Sequence, residues 1–348
     1  MKKFIYILSI LSIGIFSSCN EDIPIEDIKP SFDVTFQLNP ETVVEPFEYT
    51  RYYLERLDYA SLRLRLFVYD EEGQLVASDE GLVDSYLNKT NITLNLKEGT
   101  YFAIVISNAR DNDDGYEYWS FSGEQKLSTL TLTKNLKYLD RGSRNLLGVA
   151  SKKINVSKKG EMHMMDLKPI SAHFRIYYFN IHALDNINYD QFSFVTGKRE
   201  KSVQFDNIGN PLFSFETTQS MSYYFTMDYI LPNDFDEEDE YITTTLCMLP
   251  MKELNMMFWI TQNGKNFTLS DVLSMSDIEA GEEYYAAIDL QPNSEGEYDV
   301  EYGRLKDVLE DNNSSPGVEN TGIMHDVILR DGINFNNKTA IRIQNVIK

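Results

Sequence analysis

Leu62-Arg63-Leu64-Arg65-Leu66-Phe67-Val68-Tyr69-Asp70-Glu71-Glu72-Gly73-Gln74-Leu75-Val76 is the stretch that decides the fold class. Leu62, Leu64, Leu66 and Val68 alternate with Arg63, Arg65, Phe67 and Tyr69. That period of two belongs to a strand with one face turned to a core. Asp70-Glu71-Glu72-Gly73 is a turn, and Gln74 to Ala77 returns from it, so the stretch reads as a β-hairpin. The leucines are expected inside, and Arg63 and Arg65 on the opposite face.

The same pattern recurs on both sides. Upstream, Phe32, Val34, Phe36 and Leu38 alternate with Asp33, Thr35 and Gln37. Downstream, Ile92, Leu94 and Leu96 alternate with polar residues before Gly99 breaks the chain. The run Tyr101 to Ile106 is almost wholly apolar and is expected to be buried on both faces. Short strands follow at Leu130–Leu132, Ile154–Val156 and Met162–Leu167. A second block opens at Phe174, Ile176 and Tyr178 and closes with Tyr284, Ala286, Ile288 and Leu290. No long amphipathic helix is evident, and one short helix is expected from Asp271 to Met275 with Ser270 as its cap.

Many short strands separated by turns indicate an all-β chain of antiparallel β-sandwiches. The expected domains are residues 31–168 and 169–290, split near Pro169. Leu96-Lys97-Glu98-Gly99-Thr100-Tyr101 is echoed by Ile278-Glu279-Ala280-Gly281-Glu282-Glu283-Tyr284, which hints at two similar domains. Gln291 to Gly322 has linker composition, and strand character returns toward the end. Residues 291–348 therefore read as a linker and a β-prone C-terminal extension. Ala340, Ile341, Ile343 and Val346 carry that character and are candidate partner-binding residues. The segment either is donated to another subunit or folds back to complete the second sandwich.

The chain has 348 residues, enough for two domains, and 13% are aromatic, which favours strands. It carries 32 basic and 54 acidic residues, a net charge of −22. Residues 1–18 hold Lys2 and Lys3 and no acidic group, so without them the balance is 30 against 54, or −24. Such a surface repels nucleic acid and anionic membrane. Residues 1–18 have a basic start, an apolar run from Phe4 to Phe16 and two small residues, Ser17 and Ser18. That is the layout of a signal peptide. Cys19 at its end is similar to the acylated cysteine of bacterial lipoproteins, although Phe16 stands where most such signals carry Leu. Residues 19–30 are then a lipidated tether to outer-membrane lipid. Asn20, Glu21 and Asp22 behind the cysteine resemble the export signal of surface-exposed Bacteroidetes lipoproteins. Only Cys247 remains in the mature chain, so no intrachain disulfide is expected, and it reads as a small buried hydrophobe.

Enzyme signatures are missing, and no cofactor or metal site is expected. His163, His173, His182 and His325 lack zinc-ligand spacing. No phosphate loop, dinucleotide fingerprint or nucleophile elbow is present. Arg110-Asp111-Asn112-Asp113-Asp114-Gly115 has the oxygen-rich look of a calcium loop. Its Gly falls one position early and the closing Glu is absent, so a bare acidic turn is the plainer reading. Tyr116, Tyr118 and Trp119 form an aromatic group that could stack on a sugar ring or seat a protein. The plainer reading sends alternate members into the core.

Together, the cysteine, the hairpin around Leu62–Val76, the Leu96–Tyr101 turn, Asn108 after its strand and the Arg-bearing strand His173–Tyr178 suggest a family. The chain resembles the fimbrium anchoring subunits of Bacteroidales, the FimB-like lipoproteins of the fimbrillin superfamily, over most of residues 19–290. The resemblance implies two tandem transthyretin-like β-sandwiches at the base of a pilus. The implied partner is a fimbrial shaft subunit joined by strand addition. In shaft proteins of that superfamily an N-terminal strand is lost and another subunit's strand fills the groove, whereas anchors keep their lipidated N-terminus. The competing reading is a surface glycan-binding lipoprotein of a polysaccharide-uptake system.

Overall fold

The computed structural model describes residues 29–48, 51–55, 60–112, 115–135, 146–180, 189–217, 225–226, 241–262, 265–270, 272–296 and 298–307. Cys19, His182, His325 and the extension with Ala340, Ile341, Ile343 and Val346 lie outside these residues.

The first half supplies β1 (Ser31–Asn39), β2 (Ala60–Tyr69), β3 (Leu75–Val83), β4 (Thr90–Lys97), β5 (Gly99–Asp111), β6 (Trp119–Ser122), β7 (Thr131–Lys134), β8 (Gly148–Val156), β9 (Glu161–Asp166) and β10 (Lys168–Pro169). Short helices α1 (Glu41–Val44) and α2 (Arg51–Glu55) follow β1. The second half supplies β11 (Ala172–Phe179), β12 (Tyr189–Thr196), β13 (Lys198–Phe205), β14 (Pro211–Thr217), β15 (Phe225–Thr226), β16 (Tyr241–Met248), β17 (Met251–Gln262), β18 (Lys265–Thr268), β19 (Leu273–Ile278), β20 (Glu283–Asp289) and β21 (Val300–Arg304). The fold is all-β, as the alternating patterns predict.

In the first sandwich, sheet β4-β1-β9 faces sheet β10-β8-β5-β2-β3. Leu62, Leu64, Leu66 and Val68 are fully buried between them. The arginines lie on the other face, as expected, but are largely covered there. Arg63 donates from Nε and Nη2 to the Glu80 carboxylate at 2.7 and 2.6 Å, and Arg65 sits 4.3 Å over the Phe121 ring. The hairpin turn is closed by Gly73, whose backbone N–H donates to Asp70 O at 3.0 Å. Its φ of +74° is the left-handed conformation that favours glycine. The run Tyr101–Ile106 is buried on both faces. Ala103 and Val105 enter the first core, while Ile104 and Ile106 enter another on the far side of the sheet.

That other core lies under a sheet of order β14-β13-β7-β6, with two strands from each half of the chain. Antiparallel β7 and β13 join it, with Val203 opposite Leu132. Leu132, Val203, Phe205 and Trp119 pack against Phe67, Tyr69 and the isoleucines of β5. The two halves are thus stitched by a shared sheet as well as joined in sequence.

In the second sandwich, sheet β16-β11-β20-β21 faces sheet β15-β12-β17-β18, with β19 also on β17. The two sandwiches repeat one topology. β1 is antiparallel to β4 and parallel to β9, as β11 is antiparallel to β16 and parallel to β20. The sequence echo is not the mark of this repeat. It precedes β5 in one half and β20 in the other, whereas the topological counterpart of β20 is β9.

Two expected elements differ. The predicted helix Asp271–Met275 is replaced by β19, paired to β17 with Met275 opposite Leu254. Leu273, Met275 and Ile278 are buried while Ser274 and Ser276 are exposed, so the alternation outweighs the capping signal. The Ser270 hydroxyl instead accepts from the Phe258 N–H at 3.1 Å. The second departure is β21, which lies inside the stretch read as linker. Tyr298, Val300 and Tyr302 share one face and pack on the second core, a short alternation hidden by Asn, Ser and Glu around it.

Candidate functional site

β1 is the strand that leads out of residues 19–30, and its position organises the first sandwich. It is the middle strand of its sheet, paired with β4 from Ser31↔Lys97 to Leu38↔Thr90 and with β9 from Val34↔Glu161 to Asn39↔Asp166. Val34, Phe36 and Leu38 are fully buried. Burying these three contributes roughly 5–9 kcal/mol at ~1.5–3 kcal/mol each. On the outer face Thr35 and Thr93 hydroxyls meet at 3.0 Å, and Asn95 Nδ2 donates to Asp33 at 2.9 Å. At its far end Asn39 Nδ2 donates to Asp166 at 2.9 Å.

The two ends of β1 meet different surroundings. At the Ser31 end, the Glu98 N–H donates to Pro30 O at 2.8 Å. Lys29, Pro30, Glu98, Gly99, Asn155, Val156 and Ser157 line an open polar recess there. At the other end the second sandwich is docked. The Phe47 ring lies 6.0 Å from His173, the turn at Gly281 packs on Pro169 and Pro46, and Cys247 of β16 joins the first core. Burial raises the Cys247 thiol pKa well above its ordinary value, which suits a packing role. His173 is fully buried. Desolvation first, and the nearby Arg175 guanidinium second, lower its imidazole to about 3, so it is neutral at ordinary pH.

A buried ion pair crosses between the halves: Lys134 of β7 with Glu200 of β13. The Glu200 carboxylate also accepts from the Leu249 N–H. Sequence reading missed Glu200, because Lys198-Arg199-Glu200-Lys201 looks like a solvated run, and Lys134, a lone cation at the end of the short Leu130–Leu132 alternation.

Of the candidate aromatic patch, Tyr118 and Trp119 are each 1% exposed and only Tyr116 is partly accessible. Tyr116 meets Tyr118 edge-on at 6.4 Å, and Trp119 is packed under the shared sheet. A sugar platform needs open ring faces, and this arrangement closes two of the three. Of the candidate calcium loop, Asp113 and Asp114 lie outside the described residues, and Arg110 Nε donates to Gly115 O at 3.2 Å. Among the described residues no group of three His, Cys, Asp or Glu gathers for a metal.

No family model and no curated protein matches the chain. Solved structures similar to it include the tip fimbrial protein Mfa3 of Porphyromonas gingivalis, with a TM-score of 0.43 and 9% identity over 79% of this chain and 99% of that one. A fimbrial assembly protein of Parabacteroides distasonis has a TM-score of 0.40 and 12% identity, over 80% of this chain and 97% of that one. A Bacteroides thetaiotaomicron protein for which polysaccharide binding has been suggested has a TM-score of 0.45 and 13% identity, over 79% and 97%. Likenesses this remote carry no function over to this chain.

Proposed function

We propose that the chain is an outer-membrane lipoprotein, anchored through acylated Cys19, that holds the base of a fimbrium at the cell surface. It would bind a shaft subunit by strand addition. The observation that carries this reading is the position of β1. Directly after the tether stretch, it fills the space between β4 and β9, so the N-terminal sheet is completed by the chain's own strand. A subunit whose first sheet is already complete has no vacancy there for another subunit's strand. That suits the end of an assembly rather than its middle. The segment left for partner contact is the C-terminal extension with Ala340, Ile341, Ile343 and Val346.

Deleting residues 323–348 tests the reading. The truncated monomer should keep its melting temperature and lose capture of a purified fimbrillin-like shaft subunit. A large loss of monomer stability, or undiminished capture, would count against the donor role.

A further inference from the structure

We propose that β1 is a mechanical shear clamp, which loads both of its hydrogen-bonded ladders at once when the tether is pulled. Tension applied ahead of Ser31 enters β1 at the end where Glu98 meets Pro30. The second half resists through two sets of contacts: the second sandwich at the opposite end of β1, through Phe47–His173 and Gly281 against Pro169, and the shared sheet, where Gly209 faces Phe102 and Ser151. β1 itself pairs only with β4 and β9, so the load leaves it through those two ladders, and its component toward the far end runs along the strand. Inter-strand hydrogen bonds lie across the strand direction, so a pull along the strand strains every rung together. A pull across the strand would open them one at a time.

Three further features resist sliding. β1 is a central strand, bonded on both sides, and its register with β4 and with β9 has no bulge. Val34, Phe36 and Leu38 are plugs, fully buried, that must all leave their places for a shift of register. Asn39 is tied to Asp166 of the parallel neighbour at the far end. The role of this clamp in the cell rests on the reading of Cys19 as the lipid anchor. Its mechanics do not.

Single-molecule pulling on the unacylated Cys19→Ser chain separates the two. Lys29→Cys with Lys89→Cys holds β1 and β4 at opposite ends and loads their ladder in shear. Lys29→Cys with Glu98→Cys holds the same two strands at adjacent ends and unzips them. Lys29, Lys89 and Glu98 are all exposed, so handles there leave the core intact, and Cys247 is buried away from the coupling reagent. At equal loading rate the shear pair should rupture at several-fold higher force than the unzipping pair. Equal forces, or a stronger unzipping pair, would overturn the clamp whatever anchors the chain. Failure of Cys19 acylation in cells would leave this force ratio unchanged.

Discussion

Gly209→Ala probes the sheet shared between the two halves. Gly209 sits in the turn between β13 and β14, where Asp206 accepts from the Ile208 and Asn210 N–H groups at 2.9 and 2.8 Å. Its φ is +80°, and a Cβ built there would lie 2.7 Å from Phe102 Cζ and 2.7 Å from Ser151 Cβ. Both contacts belong to the first sandwich, so the turn is a point where the second half presses on the first. Left-handed backbone in a non-glycine residue costs ~1–2 kcal/mol. Overpacking a filled site adds about 1–3 kcal/mol. The sum is about 2–5 kcal/mol, a large part of a typical stability of roughly 5–15 kcal/mol. Gly160→Ala supplies the control. Gly160 has a φ of +77° and nothing within 4 Å of the built Cβ, so it carries the backbone cost alone. Urea denaturation of both variants should show Gly209→Ala the worse by about 1–3 kcal/mol, with faster amide exchange in β13 and β14. Equal losses would refute the packing of this turn on Phe102 and Ser151.

Other outcomes follow from the same geometry. Leu64→Ala, at a fully buried site, should cost ~2–5 kcal/mol in chemical denaturation. Lys134→Met strands the buried Glu200 carboxylate and should cost ~3–5 kcal/mol. Lys134→Met with Glu200→Gln, which keeps an acceptor for the Leu249 N–H, should recover most of it. His173 has a folded pKa of about 3 against an ordinary 6.5, so the unfolded chain takes up the proton first as pH falls. Stability is therefore lost from about pH 6.5 downward, by up to ~1.4 kcal/mol per unit until the folded value is reached. His173→Gln should flatten that limb between pH 6.5 and 4.5, measured as urea midpoints, and an unchanged slope would remove His173 as its source.

Much of the fold was legible because period-two burial leaves a direct trace. The Leu62–Val68 face, the doubly buried Tyr101–Ile106 run and the Phe32–Leu38 strand all sit where alternation places them. Of the shared sheet, the alternation at Leu130–Leu132 marks β7, but nothing in the sequence marks its pairing with β13. β6 and β7 are four residues each, and β7 pairs across the chain with a strand whose opening Lys198-Arg199-Glu200-Lys201 reads as surface. β19 is masked in the sequence because Ser270 before an acidic residue imitates a helix start, although Leu273, Met275 and Ile278 alternate. The aromatic group Tyr116–Trp119 shows the reverse limit. Residue type identified a chemistry, but only the packing under β6 and β7 decides which ring faces remain open.

The central claim, that this chain is tethered to the outer membrane through Cys19, is met most directly by metabolic labelling with a palmitate analogue, followed by membrane fractionation. The native chain should carry the label and sediment with the outer membrane, while Cys19→Ala should lose the label and appear in the soluble fraction. Label retained by Cys19→Ala, or a native chain that never takes it up, would contradict the account.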